Sequence, residues 1–261
     1  MARLNVIRIG SSGSDVKKWQ YFLKGQELYE GKVDGIFGPV THDSTIAFQL
    51  LSKLQPDGVV GNKSYGAAMI LGFDVAVDTL IGKYGANWPG KPQFKCLVSD
   101  SEKRHLFGSF SYVHSPLPKD TEHIRITDGW DKKNIIGIDV PQISRIAGIG
   151  KTYFHKAAAA QLQDLWRDWE AADLLHLVIT WHGSYNPRFI RGSRTHLSQH
   201  AFGTAFDINL AWNRLGSLPA FVGQKGSVRE LVQIANENGF YWGGHFNRLD
   251  GMHFEIAKLM S

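Results

Sequence analysis

Ser198-Gln199-His200-Ala201-Phe202-Gly203-Thr204-Ala205-Phe206-Asp207 places an imidazole just before an apolar run and a carboxylate inside it. The run over 204–210 reads as a buried strand. A second segment, Asp250-Gly251-Met252-His253-Phe254-Glu255, sets another carboxylate and imidazole at the entry to a final strand expected over 252–257. If the two strands are neighbours, His200, Asp207 and His253 converge. Two imidazoles and one carboxylate fill three corners of a tetrahedron around one Zn2+ and leave the fourth for water, the open arrangement that catalysis requires. A water activated in this way needs a base to take its proton and an acid to protonate a leaving amine. Asp250 is the spare carboxylate placed for both steps.

Outward from these segments, Leu162, Leu165, Trp166 and Trp169 recur at i, i+3, i+4 and i+7 and predict a helix over 153–172. A buried strand is expected over 175–181. Ser227 and Glu230 read as a capping box before a helix with Val228, Leu231, Val232 and Ala235 on one face, stopped by Asn238-Gly239. Strands and turns are expected over 124–150. Helices beside a short antiparallel sheet make an α+β domain over 110–261.

The first 73 residues contain an internal echo. Val33-Asp34-Gly35-Ile36-Phe37-Gly38 returns as Pro56-Asp57-Gly58-Val59-Val60-Gly61, which implies two similar turns. Ser14 is positioned to cap a helix carrying Val16, Trp19, Phe22 and Leu23. Pro39 and Thr41 open a second helix with Ala47, Leu50, Leu51 and Leu54, and Ser64 begins a shorter third. Three short helices joined by glycine turns form a small domain ending near Gly72 and Phe73. From Asp74 onward, Gly82, Gly85, Pro89-Gly90 and Pro92 break the periodicity before the charged run Asp100-Ser101-Glu102-Lys103-Arg104, so 74–109 reads as a linker.

The 261 residues are 43% hydrophobic and 20% charged, which excludes disorder, collagen and coiled coil. The net charge of +5 suits an anionic polymer, but the basic residues are scattered and exclude a nucleic-acid footprint. Cys96 is the single cysteine, so any metal is held by His and carboxylates. It has no readable His partner for thiol catalysis. The first residues lack the continuous apolar core of a secretory signal, and no window approaches the roughly 18 apolar residues of a membrane span. A monomer made in the cytoplasm is expected, one that needs a separate membrane lesion to reach a target outside.

The pattern Ser-x-His-x-x-Gly-x-Ala-x-Asp followed by Asp-x-x-His resembles the zinc D-Ala-D-Ala carboxypeptidase and L-alanyl-D-glutamate peptidase family, with its hedgehog-like fold. That resemblance implies His200, Asp207 and His253 as metal ligands and Asp250 as the catalytic acid/base. It also implies an arginine for the substrate carbonyl or developing oxyanion. Arg188, in a loop after a strand, is the candidate, with Arg191 and Arg194 as alternatives. Ser198 and Trp242 are candidates for substrate contact, Trp242 being equally readable as packing under the last strand; His182, His196 and His245 lack matching carboxylates. The N-terminal residues Arg8 to Gly13, Trp19-Gln20, Asp34 to Gly38, Phe48-Gln49 and Asp57 to Gly61 resemble the peptidoglycan-binding domain of the three-helix repeat type. Together these resemblances imply a modular cell-wall lytic enzyme like bacteriophage endolysins, most simply an L-alanyl-D-glutamate-type endopeptidase. The alternatives are a D-Ala-D-Ala carboxypeptidase and a non-catalytic wall-binding or virion protein.

Overall fold

The computed structural model describes residues 5–71, 73, 84 and 87–260. Gly72, Asp74, Gly82 and Gly85, used above to end the first domain and open the linker, lie outside them. The chain forms two compact units, one of Met1–Trp88 with Ala220–Arg229, the other of Pro89–Pro219 with Glu230–Ser261.

In the first unit α1 (Ser14–Gly25), α2 (Pro39–Leu51) and α3 (Asn62–Ile70) enclose a core centred on Trp19. Phe48, Tyr65 and Phe73 meet the Trp19 ring edge-on at 5.3, 5.8 and 5.7 Å, the arrangement the ring quadrupoles favour. Its indole N–H donates to Thr45 Oγ1 at 2.9 Å. Three local expectations change. Gly13, with φ of 115°, occupies the cap position in place of Ser14. The third helix starts at Asn62, and Leu50 and Leu51 face solvent.

The second helix instead buries Thr41, Ser44, Thr45, Phe48 and Gln49, with Thr41 and Gln49 bonded at the two echoed turns and Thr45 to Trp19. Gln20 Nε2 donates to Asp34 Oδ1, Ile36 O and Thr41 Oγ1, while Gln20 Oε1 accepts from Gly35 N at 2.8 Å. Gln49 repeats this with Asp57 Oδ1, Val59 O and Ser64 Oγ, and accepts from Gly58 N at 2.9 Å. Each glutamine therefore latches an Asp-Gly turn to the helix that follows it. Both carboxyls are held below the ordinary Asp value by hydrogen bonds, to Gln20 and Ile36 N–H for Asp34 and to Val59 N–H and Gln49 for Asp57. Ala220–Arg229 adds Phe221 against Tyr21 and a bond from Lys225 N to Gly25 O.

In the second unit the sheet is antiparallel, in the order β5 (Ala205–Asp207), β7 (His253–Ile256), β6 (Phe240–Trp242). Two hairpins precede it, β1 (Tyr112–His114) with β2 (Ile124–Ile126) and β3 (Ile135–Ile138) with β4 (Thr152–His155). Behind the sheet runs the helix Ala159–Ala171, whose Trp169 packs on Phe206 and Phe254. This helix is shorter than expected because 152–155 pairs as β4 and a 3-10 turn follows. The apolar run at 175–181 is a 3-10 turn with a single bridge at Trp181 to Ile208, not a strand. After Ser227, whose Oγ accepts from Arg229 N, a 3-10 turn, Arg229–Leu231, precedes the helix Val232–Glu237.

A helix, Asp100–Phe107, stands where the charged run was read as linker. Ser99 and Glu102 form its capping box. Buried Lys103 donates from Nζ to Leu197 O at 2.7 Å, and Asp100 accepts from Leu197 N, so this helix clamps the backbone just before Ser198. Among the described residues no helix is long and apolar enough to cross a membrane.

The glutamine latches are buried, so truncation orphans a glycine N–H and removes a donor from the Asp carboxylate each time. Gln20→Ala and Gln49→Ala are each expected to lower unfolding free energy by about 2–3 kcal/mol. Urea denaturation of the full chain measures this.

Candidate functional site

In strand β7 side chains alternate, so Phe254 and Ile256 enter the apolar layer while His253 and Glu255 share the opposite face. Asp207 lies directly across from His253 in β5. Bonds from Ile208 N to Met252 O and from Ile256 N to Thr204 O frame this pair. Asp207 and His253 therefore meet at a non-hydrogen-bonded position of the ladder, where opposed side chains come closest. The third donor arrives on a four-residue helix, Gln199–Phe202. It is capped by Ser198, whose side chain accepts from His200 N, and closed by Gly203 at φ 64°. The left-handed backbone calls for glycine here, and an added Cβ would also crowd His155 N at 3.3 Å.

His200 Nδ1 lies 2.7 Å from Ser184 O, an acceptor only, so this nitrogen carries the proton and donates. Ser184 is fixed in turn by its hydroxyl donating to Tyr153 O at 2.6 Å. His200 Nε2 then faces Asp207 Oδ1 at 3.2 Å, and His253 Nδ1 faces the same oxygen at 3.0 Å. On its far side, His253 Nε2 donates to Glu255 Oε2 at 3.0 Å.

The three donor atoms lie within 4.8 Å of one another. A tetrahedral zinc site with bonds of about 2.0–2.1 Å has edges of about 3.3 Å, so the donor set and its spacing both fit Zn2+. Without a metal the cluster is held by protons. Burial opposes charge on His253, but bonds to Asp207 and Glu255 outweigh it and push the imidazole up to about 10. Burial likewise disfavours ionised Asp207, yet His200 and His253 hold it well below the usual carboxylate range.

Asp250 enters from the turn before β7. Its N–H donates to Gly243 O at 2.9 Å, and its carbonyl accepts from His253 N at 3.1 Å. A Cβ on Gly243 would meet Asp250 O at 2.5 Å and His253 Cβ at 3.1 Å, so glycine there lets the turn approach. Asp250 Oδ1 is buried with no hydrogen-bond partner. Burial pushes this carboxyl up to about 6, reinforced by Asp207 and opposed by His253, His200 and Arg188. A carboxyl with that value, inside the field of the three donors, is suited to moving protons near neutral pH.

Arg188 is half-buried, its guanidinium within the field of Asp207 and Asp250. Burial and Arg191 press its pKa down, while the carboxylates oppose them. Arg191 is committed elsewhere, to Asp120 Oδ1 at 2.6 Å and Glu122 Oε2 at 2.7 Å.

The structure corrects two candidates for substrate contact. Trp242 is fully buried with its N–H donating to Gly251 O, and so packs beneath the turn. Ser198 is buried as the helix cap. Sequence reasoning gave no role to Ser184 or Glu255. The Ser184 contact is made by a backbone carbonyl and leaves no sequence signal, whereas Glu255 was findable from its i+2 spacing to His253.

Residues 191–256 match the D-alanyl-D-alanine carboxypeptidase family, and residues 12–67 match the peptidoglycan binding domain family. The first match contains His200, Asp207, Asp250 and His253; Arg188 lies just outside it. The chain is 44% identical over 59 residues to two spore cortex-lytic enzymes of Bacillus cereus, covering 23% of this chain and 23% of each relative. It thus spans about a quarter of their length. A solved structure described as the SleB N-terminal domain is 39% identical, covering 25% of this chain and 90% of that one, with a TM-score of 0.25.

Asp250 binds its proton more tightly when folded than when unfolded. That stabilisation is full below about pH 3.8 and is lost as pH rises to about 6. Asp250→Asn, neutral throughout, is therefore expected to be more stable than the metal-free wild type by about 3 kcal/mol above pH 6, with the margin shrinking toward pH 4. Urea denaturation in chelator at pH 4.5, 6 and 7.5 checks it.

Proposed function

We infer, from a peptidoglycan binding domain joined to a D-alanyl-D-alanine carboxypeptidase-type domain, that this protein is a zinc-dependent peptidoglycan hydrolase cutting an amide bond of the peptide stem. The observation that carries the reading is the convergence of His200, Asp207 and His253 with a proton-holding carboxyl, Asp250. A structural zinc site supplies four protein ligands and has no use for a carboxyl beside it with a buried, unpartnered oxygen. This favours an enzyme over a wall-binding or virion protein.

Bound at these three side chains, Zn2+ supplies Lewis acidity, lowering the pKa of water and polarising the scissile carbonyl. Asp250 accepts the proton of the attacking water on its carboxylate and returns it to the departing amine. Arg188 places positive charge where the carbonyl oxygen gains negative charge, and its position half-buried beside Asp207 makes that charge effective. Ser198 and Ser184 hold His200 in place through its backbone N–H and ring Nδ1.

The N-terminal domain holds the wall polymer and raises the local concentration of stems without altering the site. This pairing favours internal cleavage of the L-alanyl-D-glutamate type over removal of terminal D-Ala, since trimming ends does not open the mesh. An endolysin-like role, with passage to the wall after membrane permeabilisation, is part of this reading.

Mass spectrometry of purified peptidoglycan digests is the test. New stem-peptide termini are expected with zinc-loaded protein, none after chelation, and a rate lowered about 10²- to 10⁴-fold in Asp250→Asn. Arg188→Ala is expected to lose about 10²- to 10³-fold in kcat. Wall binding without new termini in the zinc-loaded wild type overturns the enzymatic reading.

A further inference from the structure

We infer that Glu255 is a positioning residue for the metal site, holding the His253 ring so that Nδ1, not Nε2, is presented to the metal. The inference rests on the zinc reading above and extends it to a residue outside the ligand set.

Glu255 is 6% exposed, and His253 Nε2 is the hydrogen-bond partner the described residues give its carboxylate. Its register neighbours are Ala205 in β5 and Tyr241 in β6, neither of which brings a cation. A buried carboxylate so placed is costly to the sheet unless its one partner is a group that must be fixed. The strand's period of two supplies the geometry, because residues 253 and 255 share a face and the carboxylate reaches only the outer edge of the ring.

With Nε2–H committed to Glu255, Nδ1 is the nitrogen left facing inward, where it donates to Asp207 Oδ1 at 3.0 Å; it is the atom that would offer its lone pair to a metal taking that proton's place. His200 is held the opposite way round, Nδ1–H on Ser184 O and Nε2 inward. The two imidazoles thus present different nitrogens to one metal, each fixed by an acceptor behind it. An anionic acceptor behind His253 also makes its inner nitrogen a better donor.

Zinc dissociation constants of the full chain, measured by competition with a chromophoric chelator, test this. Glu255→Ala is expected to weaken zinc binding about 10- to 100-fold and Glu255→Gln, which still accepts a bond, by less. Unchanged affinity in a folded Glu255→Ala overturns the inference. Failure of the wild type to bind zinc overturns instead the metal reading beneath it. Should both variants fail to fold, ¹⁵N correlation spectra of the zinc-loaded wild type decide. His253 is expected to be metal-bound at Nδ1 with a proton on Nε2, and His200 the reverse; metal on His253 Nε2 overturns the assignment.

Discussion

The antiparallel pairing of β5 with β7 is the constraint on which the site depends. It sets Asp207 across from His253 at the close, non-hydrogen-bonded position of the ladder, and it brings two donors 46 residues apart within 3.0 Å. A slip of one residue would send His253 and Glu255 into the apolar layer and expose Phe254. The aromatic packing forbids it. Phe206 and Phe254 stack at 5.4 Å on the buried face, with Trp169 behind both. The register that fills the core is the register that assembles the candidate site, so the geometry of its donors inherits the stability of the sheet.

Around that pair, each remaining part is held by a group with no direct share in the chemistry. Ser184 O and the Ser198 cap fix His200, and the Asp100–Phe107 helix fixes Leu197 ahead of it through Lys103 and Asp100. Asp250 is the exception. Its Oδ1 is buried and unbonded, an arrangement that costs stability and raises the carboxyl's pKa.

The N-terminal unit solves a different problem, stability from few residues. Its two glutamine latches use the same four-part chemistry twice, a side-chain amide, an Asp, a glycine N–H and a hydroxyl on the next helix, Thr41 in one case and Ser64 in the other. The echo in the sequence is the trace of that duplication. It predicted two similar turns correctly, but not that the glutamines inside the helices were their anchors.

Local chemistry determined what could be read directly. The Asp-Gly turns, the three helices around Trp19, the four residues of the candidate site and the short antiparallel sheet all follow from spacing or motif, because turns, helix faces and strand alternation are set by near neighbours. The 175–181 run was misread as a strand because apolar content does not supply a pairing partner, and 152–155 was absorbed into a helix because its partner, β3, lies elsewhere in the chain. Trp242 looked available for substrate because flanking glycines say nothing of what covers a ring. Which nitrogen of each imidazole faces inward, the protonation of Asp250 and the burial of Trp242 were decided only by tertiary structure. They depend on acceptors and apolar walls brought from distant segments, and desolvation exists only once the chain has closed around the group.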